Sequence, residues 1–150
     1  LHTNDAPSTI TRLQNMGTPD YLISAACQLV VAQRLARKNC KECKVPDDDV
    51  NPKVLQDLGF SPELASRAKA YKGKGCEKCS NTGYKGRQGI YEILVVSKPL
   101  KEARLRQATT PELREIAIKE GFQMMQDMGR RLIASGDLNF REYERVLSSE

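Results

Sequence analysis

The sequence predicts a mixed α/β chain, on three observations. Residues 31–38 read as the two faces of a half-buried strand, with a helix running to Arg37 as the alternative, and Ile90–Val96, rich in β-branched side chains, is expected as a strand. Asp5/Pro7, Thr18-Pro19 and Thr110-Pro111 are helix-start signals on either side of those strands. Between the strands lies a compositional island, residues 40–79, with a Cys-x-x-Cys pair at each end.

The elements follow in order. Asp5 is expected to cap a first helix, with Ile10, Leu13 and Met16 on one face and Gly17 as its stop. Thr18-Pro19 opens a second, with Leu22, Ala25, Ala26 and Leu29 on its apolar side. In the first strand Val31, Gln33, Leu35 and Arg37 face one way, and Ala32, Arg34, Ala36 and Lys38 the other. Inside the island, Asn51-Pro52 and Ser61-Pro62-Glu63 start two short helices separated by Gly59, and Leu55, Leu58, Phe60 and Leu64 form a small core. Gly83, Gly86 and Gly89 recur every third residue, where the backbone must turn sharply or approach something closely. After the second strand the chain is helical: Ser97–Ala108 with a bend near Pro99, a helix from Thr110-Pro111 to Gly121, Met124–Ser135, and Phe140–Leu147. Leu113, Ile116 and Ala117 point inward in the second of these. Asn139 with Glu142 resembles a capping box, and Leu132, Ile133, Tyr143 and Leu147 pack the last helices together. The methionines at 124, 125 and 128 read as core filling.

The composition bounds the possibilities. The chain has 150 residues, 39% hydrophobic and 29% charged, with no Trp. That is one ordinary domain or two small ones with a modest core. No stretch approaches the roughly 18 apolar residues of a membrane span. The chain opens on Leu1 without a basic and apolar leader, and reads as an excised or processed piece. The net charge of +5 is spread among both signs, as on an ordinary solvated surface.

The cysteines carry the clearest chemistry. Cys40-x-x-Cys43 and Cys76-x-x-Cys79 are two metal-binding knuckles, and together they would complete a closed tetrahedral site of the structural zinc type. The 32 residues between them exceed the common spacing, so something folded must lie there. Disulfides, a redox pair and inert buried thiols are the competing readings. Disulfides need an oxidising compartment, and a redox pair usually comes singly at a helix start. Cys27, among Ala25, Ala26 and Leu29, reads as a small buried hydrophobe. Four thiolates and a divalent cation leave a local charge of −2, which Lys41, Lys44, Lys74 and Lys78 would offset. An island with so few large apolar residues needs such a metal, worth on the order of 10–16 kcal/mol, to fold.

Catalytic constellations are otherwise scarce. His2 is the one histidine, and there is no G-x-x-x-x-G-K-[ST] phosphate loop. The Gly83–Gly89 repeat precedes a strand, so it is not a dinucleotide fingerprint. Taken alone, His2 reads as an exposed terminal residue.

Several stretches together resemble one family. Residues 1–7, with Thr11-Arg12-Leu13 and Met16-Gly17, are similar to the histidine box and following helix of the secretion ATPases, the hexameric motors of type II secretion and type IV pilus assembly. Ala32–Arg37 followed by Cys40-x-x-Cys43 resembles their next strand and first knuckle. Gly75-Cys76-x-x-Cys79-x-x-Thr82-Gly83-Tyr84-x-Gly86-Arg87-x-Gly89-Ile90-Tyr91-Glu92 resembles their second knuckle and return strand. Glu120-Gly121-Phe122 with Met125, Asp127 and Gly129 is similar to their C-terminal helical region. The resemblance implies a trailing part of a RecA-like core at 1–39, a zinc-binding module at 40–79, a return strand to the core at 80–96 and a helical C-terminal subdomain at 97–150. It implies a role for His2 near the γ-phosphate, and zinc on Cys40, Cys43, Cys76 and Cys79. ATP and Mg²⁺ would belong to the full-length parent only. Partners would be five further copies in a hexamer, an inner-membrane platform protein and an adaptor, at the cytoplasmic face of a bacterial inner membrane. The phosphate loop, the Walker B acid and the arginine fingers lie upstream in that family, so these residues alone should not hydrolyse ATP. Two readings of other classes stand beside it. A zinc-ribbon nucleic-acid module predicts aromatics interleaved with Lys and Arg, and only Tyr71, Tyr84 and Tyr91 lie near the cysteines. A chaperone-like zinc domain needs more knuckle repeats than are present.

Overall fold

The structure is a computed structural model that describes residues 4–148. Its elements, in chain order, are α1 (Ala6–Asn15), α2 (Asp20–Ala26), β1 (Leu29–Asn39), β2 (Lys44–Pro46), α3 (Pro52–Asp57), α4 (Pro62–Arg67), β3 (Tyr71–Gly73), a 3-10 turn (Glu77–Cys79), β4 (Tyr84–Val95), α5 (Lys98–Leu105), α6 (Thr110–Lys119), α7 (Met125–Ser135) and α8 (Phe140–Leu147). The chain divides into two compact units, Leu1–Gln33 with Tyr91–Met125, and Arg34–Ile90 with Gln126–Glu150. The paired strands β1 and β4 run through both.

In the first unit the helix ends form where short polar side chains satisfy them. Asp5 accepts from the Ser8 amide at 2.8 Å, Pro7 occupies the first turn of α1, and Gly17 leaves it at φ +90°. Thr109 and Glu112 form a reciprocal capping box on α6. Ser97 caps α5, and Pro99 lies in its first turn, where no amide is needed; the bend expected there has no cause. The core holds Ile10, Ile23, Leu94, Leu100, Leu113 and Ala117. α1 packs on α6 and α2 on α5. Thr11 and Thr110 meet at 2.6 Å, and the buried Arg104 pairs with Asp20 at 3.1 Å.

Two face assignments are corrected here. In α2 the buried residue is Ile23, while Leu22, Ala25 and Ala26 are exposed. Met16 also faces out, in the cap of α1 and beyond its packed turns. Four residues of one face only name a stripe; which stripe is covered depends on the neighbouring helices.

The strand alternation holds. From Leu29 to Lys38 the even-numbered residues of β1 are turned inward and the odd-numbered ones outward, and the buried Asn39 breaks the pattern at the strand's end. The Val96 amide donates to Gln28 in the first unit, and the Cys40 amide to Gly83 in the second, which makes the pair antiparallel. β1 begins at Leu29 and β4 at Tyr84, both earlier than expected. Gly86, at φ +83°, lies within β4, so that glycine does not end the strand.

In the second unit, Asn51 and Ser61 cap α3 and α4 as expected. Leu55, Phe60 and Ala65 are buried there, but Leu64 is exposed and Ala65 takes its inward place. β2 and β3, not foreseen, pair antiparallel with Lys44 opposite Gly73 and Pro46 opposite Tyr71. α7 and α8 close tightly: a Cβ on Gly129 would lie 2.4 Å from Leu147 and 2.7 Å from Tyr143. Asn139 caps α8 through the Glu142 amide, but the Glu142 carboxylate does not complete the box. It is buried and pairs instead with Arg37, at 2.6 Å, and with Arg145.

Candidate metal centre

The four knuckle cysteines converge. Cys40 follows the last residue of β1, and Cys43 precedes β2. Cys76 and Cys79 bracket the 3-10 turn, which leaves through Ser80 and Asn81, both in the left-handed region. Cys40 and Cys76 Sγ are 3.8 Å apart, Cys43 and Cys79 3.9 Å, and Cys76 and Cys79 3.7 Å. All four sulfurs lie within 4.8 Å of one another. Zinc–sulfur bonds of about 2.3 Å in a regular tetrahedron give edges of about 3.8 Å. The donor set therefore fits a four-coordinate thiophilic cation, and each of these sulfur separations is far beyond a covalent bond of about 2.05 Å. Cys40, Cys43 and Cys79 are buried and Cys76 partly so, which leaves little access for a fifth ligand.

The backbone supports the sulfurs. The Gly75 amide donates to Cys43 Sγ, and the Cys76 and Gly83 amides donate to Cys79 Sγ, each at 3.3 Å. Such bonds orient ligands and tune their charge. Two of the thiols are pushed in opposite directions by their surroundings. Burial pushes Cys43 up to about 11, against the opposing Gly75 amide. Burial also acts upward on Cys79, but the amides of Cys76 and Gly83 outweigh it and bring this thiol down to about 6. Four sulfurs so close cannot all carry charge until a cation neutralises them.

Two glycines permit the convergence. A Cβ on Gly73 would lie 2.0 Å from the Gly83 carbonyl oxygen, and one on Gly83 would lie 2.4 Å from the Gly73 oxygen. The end of β3 and the exit of the second knuckle thus touch backbone to backbone. Gly83 stood out in the sequence; Gly73 did not, and its only signal was the glycine-rich approach to Cys76. Asn39 was also missed. It is buried directly before Cys40 and donates to the carbonyls of Tyr71 and Gly136, at 3.1 and 3.0 Å. Tyr84 is clasped between the Arg37 guanidinium, 4.1 Å from its ring centroid, and Asn139, which donates to its hydroxyl at 2.9 Å.

The other predicted site residues stand apart. Cys27 is free and half-buried in the first unit, outside the cysteine cluster. His2 lies outside the described residues. Lys41, Lys74 and Lys78 are exposed beside the knuckles, and Lys44 lies 5.2 Å from the Tyr71 ring centroid.

These features define a mixed α/β protein with a closed four-cysteine centre able to hold a metal ion. The sequence profile of one family, described as Type II/IV secretion system protein, matches residues 1–145, and the chain belongs to that family. It is 39% identical over 142 residues to the type IV pilus assembly ATPase PilB of Myxococcus xanthus, covering 95% of this chain and 25% of that protein. It is 43% identical over 129 residues to PilB of Thermus thermophilus, covering 86% of this chain and 14% of that protein. It is 34% identical over 145 residues to the type II secretion system ATPase E of Vibrio cholerae, covering 87% of this chain and 28% of that protein. The chain thus spans less than a third of the length of each. Among the described residues, no helix is long and apolar enough to cross a membrane.

Proposed function

We propose that this chain is the C-terminal part of a hexameric ATPase that powers type II secretion or type IV pilus assembly. The observation that carries the reading is the match along almost the whole chain to relatives named as assembly and secretion ATPases. It favours the motor over a zinc-ribbon nucleic-acid module.

In this reading residues 1–39 and 80–96 belong to the trailing part of a RecA-like core, 40–79 are the zinc-binding module and 97–150 a helical subdomain. One feature of the first unit supports a larger sheet. Leu29, Val31, Ile93 and Val95 share the outward face of β1 and β4, and each is more than half exposed. A contiguous apolar strip of this kind suits burial against further polypeptide. Cys40, Cys43, Cys76 and Cys79 hold structural zinc, which supplies folding energy to the module and no reaction step. His2 acts near the γ-phosphate of ATP bound with Mg²⁺ elsewhere in the longer polypeptide. The motor works at the cytoplasmic face of the inner membrane with a platform protein and an adaptor.

The test is ATP turnover with Mg²⁺. The longer polypeptide should hydrolyse ATP and these 150 residues alone should not. Absence of turnover in the longer polypeptide would overturn the motor reading, and unaltered turnover on His2→Ala would remove that residue's role.

A further inference from the structure

The corner between α7 and α8, residues 136–139, grips both knuckles of the metal centre. The first knuckle is held through Asn39, the buried residue before Cys40. Its amide donates to the Asp137 carbonyl at 2.8 Å, and its side-chain NH₂ donates to the carbonyls of Gly136 and Tyr71. Its Oδ1 is buried and unpaired among the described residues, so what this side chain contributes is donation. The second knuckle is held through Tyr84. The amide of Gly83, the residue before it, donates to Cys79 Sγ, and the Tyr84 hydroxyl accepts from Asn139 at 2.9 Å. The approach is close: Gly136 has φ +83°, and a Cβ there would lie 2.9 Å from Lys44 Nζ and 3.2 Å from Tyr71 Cδ2.

The contacts are long-range, 97 residues from Asn39 to Gly136 and 55 from Tyr84 to Asn139, and all lie within the second unit. Hydrogen bonds one step behind the ligands set the direction in which those ligands point. A corner that fixes the ligands is, by linkage, fixed to the same extent by the metal they hold. We propose that the α7–α8 corner is a positioning platform for the metal centre, with Asn39 its principal link, so that metal occupancy and the order of the corner form one equilibrium. The metal-dependent part of the chain then reaches past the cysteine-bounded island into the α7–α8 pair. The inference rests on the reading of Cys40, Cys43, Cys76 and Cys79 as a zinc site.

Amide exchange, Zn²⁺ affinity and the spectrum of bound Co²⁺ test it. Removing Zn²⁺ from the wild-type protein should speed exchange of the Gly136, Asp137 and Leu138 amides at least about tenfold, while α5 and α6 keep their protection. Asn39→Asp keeps the shape of the side chain and turns its donor into an oxygen that faces two carbonyls. It should weaken Zn²⁺ binding about 10–100-fold in competition with a chromogenic chelator. If that variant does not fold, Asn39→Ala carries the same measurements. Bound Co²⁺ absorbs in the visible according to the geometry of its thiolates. At saturating Co²⁺ the Asn39 variant should differ from wild type, because its ligands are aimed differently. Leu55→Ala, which thins the core of the lobe, is the control: it loses stability and should keep the wild-type spectrum at saturation. Failure of the wild-type protein to bind Zn²⁺ or Co²⁺ would fell the zinc reading, and this inference with it. Metal bound by the wild type, with exchange at the corner unmoved by its removal, would overturn this inference alone. So would a smaller loss of affinity in the Asn39 variant, an unaltered spectrum at saturation, or an equal spectral change in Leu55→Ala.

Discussion

The first unit buries Ile10, Ile23, Leu94, Leu100 and Leu113 to 3% exposure or less, and its helices pack on one another, α1 on α6 and α2 on α5. The 40–79 lobe of the second unit buries two large apolar side chains, Leu55 and Phe60, with small Ala65 and Ala70 and the cysteines. Its own strands, β2 and β3, are three residues long. Apolar burial yields about 25 cal/mol per Å², and a lobe this thin cannot offset the entropy of ordering some forty residues by that means. The comparison shows where a metal could stand in for a core: an ion held by the four converging cysteines would cross-link distant backbone points, as contact area does elsewhere.

The largest expected effect breaks the comparison at the sulfurs. Strong chelation, or Cys76→Ser, should release the metal and remove on the order of 10–16 kcal/mol of binding free energy from the 40–79 lobe. Amide exchange there should become fast, while amides of α5 and α6 keep their protection. Unchanged exchange in the lobe of metal-free protein would mean that its side chains hold it unaided.

Gly83→Ala should come next. The new Cβ meets the Gly73 carbonyl, at a residue whose φ is +79°. Gly83 also donates to Cys79 Sγ and accepts from the Cys40 amide. Moving it should weaken metal binding by about 10–100-fold, the usual cost of losing a ligand's support. Gly86→Ala is the control. Its φ is also positive, but the nearest atom to an added Cβ is Lys38 Cδ at 3.9 Å, so it should show backbone strain of about 1–2 kcal/mol and normal metal affinity. Competition with a chromogenic chelator reads both.

Leu113→Ala attacks the other side of the comparison. Leu113 is fully buried in α6, and truncation should cost about 2–5 kcal/mol. The loss should appear as earlier melting of the first unit, with metal content unchanged. A stoichiometric loss of metal would show that the two regions do not keep separate accounts.

What the sequence revealed divides along the same line. The knuckles, the helix caps at Asp5, Asn51 and Ser61, and the alternation in β1 were legible because each is a local pattern with a local cause. Tertiary choices were not. Leu22, Ala25 and Ala26 formed as good a stripe as the one containing Ile23, and only the packing of α2 on α5 selects between them. β2 and β3 are too short to show a period, and their pairing depends on the knuckles that bracket them. Glu142 looked like half of a capping box, yet its carboxylate turns to Arg37, 105 residues away. Glu92 was named only as the end of the return-strand motif, and its partners, the backbone amides of Ala6 and Met125, are encoded by no side-chain pattern.

Asp5 should give the smallest effect and a test of sign. Burial acts upward on its carboxyl, but Ser8 and Arg114 outweigh it and hold the pKa below the ordinary 3.8. A depressed carboxylate contributes stability that is present above its unfolded pKa and lost as pH falls through the folded value. Asp5→Asn keeps an oxygen for the Ser8 amide and removes the charge facing Arg114. With Asp5 partly exposed, the difference between the two proteins should be under about 1 kcal/mol at pH 7, and it should vanish as pH drops below 3.8. Any loss of metal in acid would be common to both proteins, so only the difference in melting temperature reports on α1. A difference that grew with acid would reverse the sign and place Asp5 in a raised, not a depressed, environment.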